Sequence, residues 1–222
     1  MSATIPTIYG FPVSPHVRTA RIAFAEKHLD VDFRAIDLDH LRDPAYTRIN
    51  PFQKMPALVH GDVVLYETPA LFVYAEGLGS GPTLVPEVPL AQARMWQCIG
   101  IAQNHLYPVG AMQLYFHAVL AGLFGAPADP AIAARAALET SKHLDVLEAR
   151  LGAHAHLAGE ALSYADLYCG AMVDYAGRTR AGRALLRERP HVDAWLRALR
   201  SRPSFQATLA PLLRDKDEPD AP

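Results

Sequence analysis

Apolar and polar positions in the first 80 residues change period several times, which predicts alternating strands and helices. Residues 7–11 form a short apolar run, and Val17, Ala20 and Phe24 then recur at helical spacing. Residues 31–36 alternate between apolar and charged side chains, as a half-buried strand does. The first stretch of the chain therefore predicts a β-α-β unit.

Residues 56–59 and 63–66 are two further apolar runs, separated by a Gly-Asp turn signal at Gly61. They predict a β-hairpin, and residues 68–76 have the pattern of a helix. Residues 80–89 are rich in proline and have no periodicity, so they predict a linker. A first domain over residues 1–79 is the consequence.

Beyond the linker the pattern predicts only helices. Pro108 is expected to kink or end one of them, and residues 126–130, with two prolines, are expected to separate two others. An all-helical bundle is therefore predicted for residues 90–214, and a frayed, charged tail for residues 215–222. The apolar stripes behind this prediction are Ala137, Thr140, Leu144, Leu147 and Leu151, then Leu167, Tyr168, Ala171, Met172 and Tyr175, and finally Val192, Trp195, Leu196 and Leu199.

The charge balance excludes some classes of function. The 222 residues include 21 basic and 23 acidic side chains, a net charge of −2. No basic surplus is present to neutralise a phosphate backbone, which argues against a nucleic-acid ligand. Neither an apolar run of about 18–20 residues nor a signal-peptide pattern stands out, so we expect a cytoplasmic protein that does not enter a membrane.

The two cysteines, Cys98 and Cys169, lie far apart inside predicted helices and form no CxxC pair. In a cytoplasmic chain this predicts two reduced core residues rather than a disulfide. The histidines have no ligand-like spacing, which argues against a metal site. Any thiol chemistry must then use a sulfur that a ligand brings.

Ser14 and Pro15 stand where the first predicted helix begins. The serine hydroxyl can accept from an unpaired backbone N–H, and proline has no N–H to leave unpaired, so the pair is first of all a helix cap. The same hydroxyl can also donate its own proton outward. A thiolate at this helix end would receive that hydrogen bond and would feel the positive end of the helix dipole.

Two other segments also have both a structural and a functional interpretation. If the Met55–Pro56 bond is cis, the backbone N–H and C=O of Met55 could pair with a peptide-like ligand, whereas Lys54 by itself is interpreted as a solvated surface charge. Thr68 is interpreted as the hydroxyl cap of a second helix. The start of that helix could bind a carboxylate while Glu67 held an ammonium group. Together the three segments describe a site for a small peptide that carries a thiol.

These segments belong to a set of motifs that resembles the cytosolic glutathione S-transferases over nearly the whole chain, and most closely their serine-using, phi-like bacterial branch. Five motifs in the right order make the resemblance specific. They are Tyr9-Gly10-Phe11-Pro12-Val13-Ser14 with Arg18, the segment from Asn50 to Pro56, Glu67-Thr68, the capping box Ser163-Tyr164-Ala165-Asp166, and the closing segments at Arg189-Pro190 and Arg202-Pro203.

The resemblance implies a thioredoxin-like N-terminal domain, with βαβ-ββα order, joined to a C-terminal helical bundle. Reduced glutathione would be the co-substrate, with no further cofactor and no metal. Ser14 would donate to the glutathione sulfur, Lys54 would hold the glycyl carboxylate, and Met55 would pair with the cysteinyl backbone. Glu67 and Thr68 would hold the γ-glutamyl end.

The resemblance also places His40 near the glycyl end of glutathione, where Arg42 competes for the same role. It further implies a homodimer and a role in detoxification. The predicted function is transfer of glutathione to a small hydrophobic electrophile. The alternatives are a non-catalytic glutathione-binding or interaction module, and a peroxidase, dehalogenase or isomerase reaction at the same site.

The electrophile should lie against apolar side chains. An aromatic and methionine cluster at helical spacing also fits a packed core. The prediction therefore concerns the region of the pocket and not each residue that lines it. The residues expected to line this pocket are Phe11 and Val13 after the first strand, and Tyr107, Met112, Tyr115 and Phe116 in the first long helices.

Overall fold

The computed structural model describes residues 4–214 and 216–219. The chain forms two compact units. The α/β unit comprises the described part of residues 1–83 together with residues 203–210, and the helical unit comprises residues 84–202 together with the described part of residues 211–222.

The α/β unit contains a four-stranded mixed sheet in the order β2-β1-β3-β4. Strand β1 is parallel to β2 and antiparallel to β3, which is in turn antiparallel to β4. This arrangement confirms the predicted thioredoxin-like βαβ-ββα order. The strands are β1 (Thr7–Gly10), β2 (Asp32–Ala35), β3 (Ala57–His60) and β4 (Val63–Tyr66), and the helices are α1 (Pro15–Glu26), α2 (Leu38–Arg42) and α3 (Thr68–Leu78).

The core of this unit is formed by the sheet, α1 and α3. Ile8 of β1 pairs with Leu58 of β3, and both side chains are fully buried. Val17, Ala20 and Phe24 of α1 are also fully buried, which confirms the helical spacing predicted for them. The six buried residues that make up the central cluster are Ile8, Ala20, Phe24, Leu58, Leu71 and Ala75.

Two short elements are not predicted by the sequence pattern: α2 and a 3₁₀ turn over Pro44–Arg48. Helix α2 has five residues, of which only Leu41 is buried, so it has no apolar period to detect. It begins because the Asp37 carboxylate accepts from the backbone N–H groups of Asp39 and His40, at 3.1 and 3.0 Å.

The helical unit confirms the all-helical prediction. Within its described residues the only β pairing is a single bridge between His156 and Gly159. Its helices are α4 (Pro89–Ile101), a π-helical segment (Ala102–Leu120), α5 (Ala121–Phe124), α6 (Pro130–Leu151), α7 (Tyr164–Ala176), α8 (Arg180–Arg187) and α9 (Pro190–Arg200). Every residue of α7 is buried, and α6 and α7 both pack against the π-helical segment.

A buried capping box begins α7, as predicted. The Asp166 carboxylate accepts from the backbone N–H and the hydroxyl of Ser163, each at 2.9 Å. Its other oxygen accepts from the backbone N–H of Leu157 at 2.9 Å and from Nε1 of Trp195 at 3.0 Å. The Asp166 carboxylate therefore joins the start of α7 both to α9 and to the loop that precedes α7.

Pro108 lies inside the π-helical segment and does not end the helix, contrary to one of the two outcomes expected for it. A helix with i→i+5 hydrogen bonds brings residues four and five apart onto one face, in place of the three and four of an α-helix. The buried positions follow this wider spacing. They include Ala102, Leu106, Ala111, Tyr115 and Leu120, which succeed one another at four, five, four and five residues.

The chain after α9 returns to the α/β unit. Helix α10 (Pro203–Thr208) belongs to that unit, where it packs along α1. The buried guanidinium of Arg18 donates to the carbonyl of Phe205 at 3.2 Å and lies 5.5 Å from the centre of its ring. The sequence pattern does not predict this return, because nothing local in residues 203–210 distinguishes their partner.

The predicted tail lies partly outside the described residues, which exclude 215 and 220–222. Its described part makes ordered contacts with the helical unit. Asp217 pairs with Arg178 at 2.9 Å, and the Glu218 carboxylate accepts from the backbone N–H of Arg180 at the start of α8, at 2.7 Å. These residues are therefore not frayed.

One helix is long and apolar enough to cross a membrane by length and composition alone, although the apolar pattern of the sequence predicts no such span. It spans Pro89–Phe124, and a third of its most apolar window is buried. Within the helical unit it packs against α6 and α7, and the core helices of soluble proteins pass the same test. The absence of a membrane contact thus stays a prediction.

Candidate functional site

Helix α1 begins at the turn that follows β1. The backbone N–H of Ser14 donates to the carbonyl of Phe11 at 3.0 Å, and Pro15 is the first residue of the helix. The Ser14 hydroxyl oxygen accepts from the backbone N–H of Val17 at 3.4 Å, which confirms the predicted cap. Gly10 allows the close approach of strand and helix, since a Cβ at this position would stand 2.2 Å from Cγ2 of Val17.

A histidine occupies the second position of α1, next to this cap. Burial lowers the pKa of His16 to about 4. The imidazole is therefore neutral above about pH 5, so it adds no positive charge at the start of the helix. A negative group bound there would rely on the Ser14 hydroxyl, the free backbone N–H groups and the helix dipole.

The loop before β3 is held by Tyr46, which no sequence motif indicates, and by Asn50, which begins the motif that ends at Pro56. The hydroxyl of Tyr46 and the amide of Asn50 both donate to the carbonyl of Lys54, each at 3.0 Å. The Asn50 side chain also accepts from the backbone N–H of Phe52 at 3.0 Å. Burial raises the pKa of Tyr46 to about 12, so its hydroxyl remains a donor. The Asn-Pro-Phe motif is the sequence signal for this loop.

Met55 follows this loop, and its bond to Pro56 is cis, as the functional interpretation required. The sulfur of Met55 accepts from the backbone N–H of Phe11 at 3.1 Å. This contact brings the loop next to the turn that leads to Ser14. Lys54 is exposed beside it.

Glu67 and Thr68 lie at the junction of β4 and α3. Glu67 has φ +69°, a conformation that residues other than glycine rarely adopt and that often marks a functional site. Glu67 occupies the N-cap position without a side-chain hydrogen bond to the helix, and Thr68 is the first helical residue. The expectation that Thr68 caps α3 is therefore wrong, because the helix begins one residue earlier than the hydroxyl pattern suggests. Thr68 is buried and Glu67 is exposed.

The sheet register brings the three segments together. Ala57 of β3 pairs with Tyr9 of β1 on one side and with Tyr66 of β4 on the other. The residues that follow β1, precede β3 and follow β4 therefore emerge at the same end of the sheet. Those residues are Phe11 to Ser14, Lys54 and Met55, and Glu67 and Thr68.

His40 and Arg42 are both exposed on α2, the helix that follows β2. Nδ1 of His40 lies 2.7 Å from a carboxylate oxygen of Asp37. This hydrogen bond raises the pKa of His40 above 6.5. Because β2 runs parallel to β1, α2 also follows the carboxyl end of its strand. The choice between His40 and Arg42 stays open.

The apolar candidates of the helical unit divide into two groups. Tyr107, Met112 and Phe116 succeed one another at five and four residues, so the π-helical spacing puts them on one side of the segment. Met112 is 44% exposed. Tyr115 is instead fully buried, with its ring packed edge-on against Tyr175 at 5.1 Å, which makes it a core residue.

The cysteines are unsuited to catalysis. Both are free and buried, as predicted. Burial raises the pKa of Cys98 to about 11 and that of Cys169 well above its usual range, which disfavours a reactive thiolate. Among residues 4–214 and 216–219, no cluster of three or more His, Cys, Asp or Glu side chains could hold a metal ion.

Comparisons with known proteins agree with this geometry. Residues 8–83 match the family model described as the glutathione S-transferase N-terminal domain, and residues 111–203 match the model for the C-terminal domain. The chain is 32% identical to glutathione S-transferase 3 of Zea mays over 208 residues, covering 91% of this chain and 92% of that protein. It is 34% identical to glutathione S-transferase F7 of Arabidopsis thaliana over 207 residues, covering 91% and 98%.

Solved structures give the same result. The structure described as glutathione S-transferase III in apo form superposes with a TM-score of 0.83 at 32% identity, covering 98% of this chain and all of that chain. Glutathione S-transferase I from maize, in complex with an atrazine glutathione conjugate, superposes with a TM-score of 0.84 at 28% identity, covering 95% and 98%.

Proposed function

Since the chain belongs to the glutathione S-transferase family through both of its units, we propose that it is a glutathione transferase of the serine-using, phi-like branch, in which Ser14 activates the glutathione thiol. The observation that carries this proposal is the convergence of three segments at one end of the sheet. They provide a helix start with a hydroxyl, an outward-facing loop and a second helix start. A bacterial origin within that branch stays a prediction.

Ser14 would act on the sulfur of bound glutathione. The thiol gives its proton to solvent, and the Ser14 hydroxyl donates a hydrogen bond to the thiolate while its oxygen keeps the bond from Val17. The sulfur lone pair then forms a bond to the electrophilic carbon, and the leaving group departs with its electron pair or, in an addition, the neighbouring atom takes the pair and a proton.

The Ser14 hydroxyl and the start of α1 can together supply the free energy needed to stabilise the thiolate. A free thiol has a pKa of about 8.5, and lowering it by about two units needs roughly 2.7 kcal/mol of preferential stabilisation of the thiolate. One hydroxyl donor to a charged acceptor contributes about 1.5–3 kcal/mol, and a helix end adds about 0.3–1 kcal/mol. No metal ion and no cofactor is needed.

The other residues of the site would bind the tripeptide. Met55 would pair with its cysteinyl backbone, and the exposed Lys54 would hold the glycyl carboxylate. Glu67 would hold the ammonium group of the γ-glutamyl end, beside the N–H groups that open α3 at Thr68. His40 or Arg42 would assist at the glycyl end. The positive φ of Glu67 supports this role because it turns the residue out of the regular path from strand to helix.

The electrophile would bind against apolar side chains, and the candidates lie in each unit separately. Phe11 and Val13 are partly buried in the turn before Ser14. In the helical unit, the candidates are Tyr107, Met112 and Phe116, on one side of the π-helical segment. The buried Tyr115 is left out of this pocket because its ring has no exposed surface.

We assign the exposed apolar face of the α/β unit to a homodimer contact. Leu65 of β4 and Val73 and Leu78 of α3 line a shallow apolar groove, and β4 is an edge strand of the sheet. Val73 is 62% exposed and Leu78 is 45% exposed. Large apolar patches are uncommon on monomers, and a second copy of this chain would cover this one. Analytical sedimentation should therefore give the mass of a dimer. We also expect the protein to be cytoplasmic and to detoxify electrophiles by conjugating them to glutathione.

A substrate panel tests the catalytic proposal. Purified protein should conjugate glutathione to chlorodinitrobenzene, to an isothiocyanate or to an epoxide, and should be retained on immobilised glutathione. Reduction of a hydroperoxide without conjugation would favour a glutathione peroxidase. Retention without any turnover would leave a binding module, and the absence of both would overturn the proposal.

A further inference from the structure

His105 and His143 lie next to each other in the helical unit, although they are 38 positions apart in the chain. His105 is on the π-helical segment and His143 is on α6. Their ring centres are 5.5 Å apart and their planes are inclined by 56°. Sequence spacing could not suggest this pair, because the two residues belong to different helices.

Close packing of the two helices holds the pair in place. Gly110 faces Thr140 near the pair, where a Cβ on the glycine would lie 3.8 Å from the threonine hydroxyl oxygen. Farther along, Nδ1 of His117 accepts from the backbone N–H of Asp129, the cap of α6, at 3.0 Å. These contacts fix the antiparallel register of the two helices and therefore the distance between the two imidazoles.

One imidazole nitrogen of the pair has an unmet bonding requirement. Nδ1 of His143 is buried and has no hydrogen-bond partner. A buried polar atom of this kind usually indicates a site for water or an ion, or a functional role. The ring of His105 is exposed, so the pair can be reached from solvent.

The separation of the rings suits a bridging metal ion. Transition metals bind imidazole nitrogen at about 2.0–2.1 Å, which places two ring centres on one tetrahedral metal roughly 5–6 Å apart. The observed separation of 5.5 Å falls in this interval. Imidazole is a preferred ligand of copper, zinc and nickel, and Cu(II) binds most strongly among the divalent ions of this series.

We propose that His105 and His143 form a two-histidine site for a divalent transition metal ion. Cu(II) should bind there most strongly, with water molecules completing its coordination. The described residues add no third histidine, cysteine or carboxylate that could close the site. Glu139, one turn before His143, is paired with Lys142 at 2.7 Å. The site is consequently open and exchangeable, and it is separate from the residues proposed for glutathione.

Titration of the untagged, full-length protein with CuCl₂ tests this inference. We expect one Cu(II) ion bound per chain, and an electron paramagnetic resonance spectrum with superhyperfine coupling to two imidazole nitrogens. The variants His105→Asn and His143→Asn should each bind Cu(II) at least about tenfold more weakly, since losing even an indirect partner of a metal ligand costs 10–100-fold. His28→Asn is the matched control, because His28 is exposed and has φ +55°, which asparagine tolerates.

Equal Cu(II) affinity in the double variant and the wild type would overturn the proposal. If a variant fails to fold, which circular dichroism would reveal, the wild-type protein decides the question by NMR. Substoichiometric Cu(II) should then broaden the ring resonances of His105 and His143 before those of the other histidines. If Cu(II) instead broadens the resonances of other histidines and leaves those of His105 and His143 sharp, the proposal is also overturned. Both results are independent of glutathione turnover, so failure here leaves the transferase proposal intact.

Discussion

The hydroxyl oxygen of Ser14 accepts from the backbone N–H of Val17 at 3.4 Å, so the first turn of α1 is closed by the side chain proposed to activate the thiol. An accepting hydroxyl still has its own hydrogen to donate. Pro15 has no backbone N–H that would otherwise need a partner. The remaining N–H groups of the first turn and the Ser14 hydroxyl lie at the same helix end.

Replacing Ser14 with alanine should therefore affect thiol activation in a pH-dependent way. The Ser14→Ala variant loses the donor that lowers the thiol pKa, so conjugation should be slowed far more at pH 6.5 than at pH 9, where the free thiol ionises unaided. Steady-state rates with glutathione and chlorodinitrobenzene across this range measure the effect. A reduction of equal size at both pH values would contradict the thiolate role.

The control for this variant is Asp129→Ala, which removes the carboxylate that caps α6 in the helical unit. Each substitution removes one N-cap side chain and should lower the free energy of unfolding by about 1 kcal/mol. Only Ser14→Ala should change the pH profile of conjugation.

His16 makes the fold sensitive to acid. Its pKa of about 4 in the folded protein lies below the ordinary value of 6.5, so between these values the unfolded chain binds more protons. Stability is therefore lost as the pH falls from about 6.5 toward 4. In the His16→Gln variant, the loss of unfolding free energy between pH 7 and pH 5 should be smaller by up to about 2 kcal/mol. Urea titrations at both pH values test this, and parallel losses in the two proteins would refute it.

Lys27 connects α1 to the segment after α3. Its ammonium group is almost completely buried and donates to the carbonyls of Gly81 and Pro82, at 3.0 and 2.8 Å. It also lies 3.3 Å from the carboxylate of Glu76. Lys27→Met removes these three contacts and should lower the free energy of unfolding by roughly 3 kcal/mol.

The matched control is Lys142→Met, which removes an exposed ion pair with Glu139 and should cost about 0–1 kcal/mol. Chemical unfolding of the two variants gives the comparison. Similar losses in both would mean that the burial of Lys27 has no energetic consequence.

His156 should stabilise the fold at low pH. Its Nδ1 lies 3.4 Å from the buried carboxylate of Asp166, and this interaction raises the pKa of His156 above 6.5. The stabilisation is fully present below about pH 6.5 and is lost as the pH rises through the raised pKa. His156→Gln should consequently lower the unfolding free energy more at pH 5.5 than at pH 8.5.

His154→Gln, which breaks an exposed contact with Glu160 at 3.0 Å, is the control for this pH dependence and should show less of it. Melting curves of both variants at the two pH values suffice. A larger effect of His156→Gln at pH 8.5 than at pH 5.5 would reverse the sign and refute the assignment.

Local patterns predicted most of the elements because their signals lie within a few residues. The stripe Leu144, Leu147 and Leu151 is buried as its spacing indicated, and Ser163 and Asp166 form the capping box. Short or irregular elements were missed for the opposite reason. Helix α2 has too few residues for a period, and the helix around Pro108 changes to a spacing that an α-helical pattern does not anticipate.

The candidate site could be predicted by residue type but only partly by contact. Ser14, Met55 and Glu67 were identified from helix and strand starts and from the family motifs. Tyr46 supports the loop but belongs to no motif and was therefore overlooked, and Asn50 was named as the start of a motif without its contact to the Lys54 carbonyl.

The sequence by itself determined which functional groups are present, which segments become helices or strands, and to which family the chain belongs, since these depend on side-chain chemistry and on neighbours a few positions away. Only the tertiary structure decided that the Met55 sulfur meets the Phe11 backbone, that residues 203–208 return to α1, and that His105 faces His143. Each of these contacts joins residues far apart in the chain, where packing of whole helices and sheet register, rather than local pattern, fixes the distance.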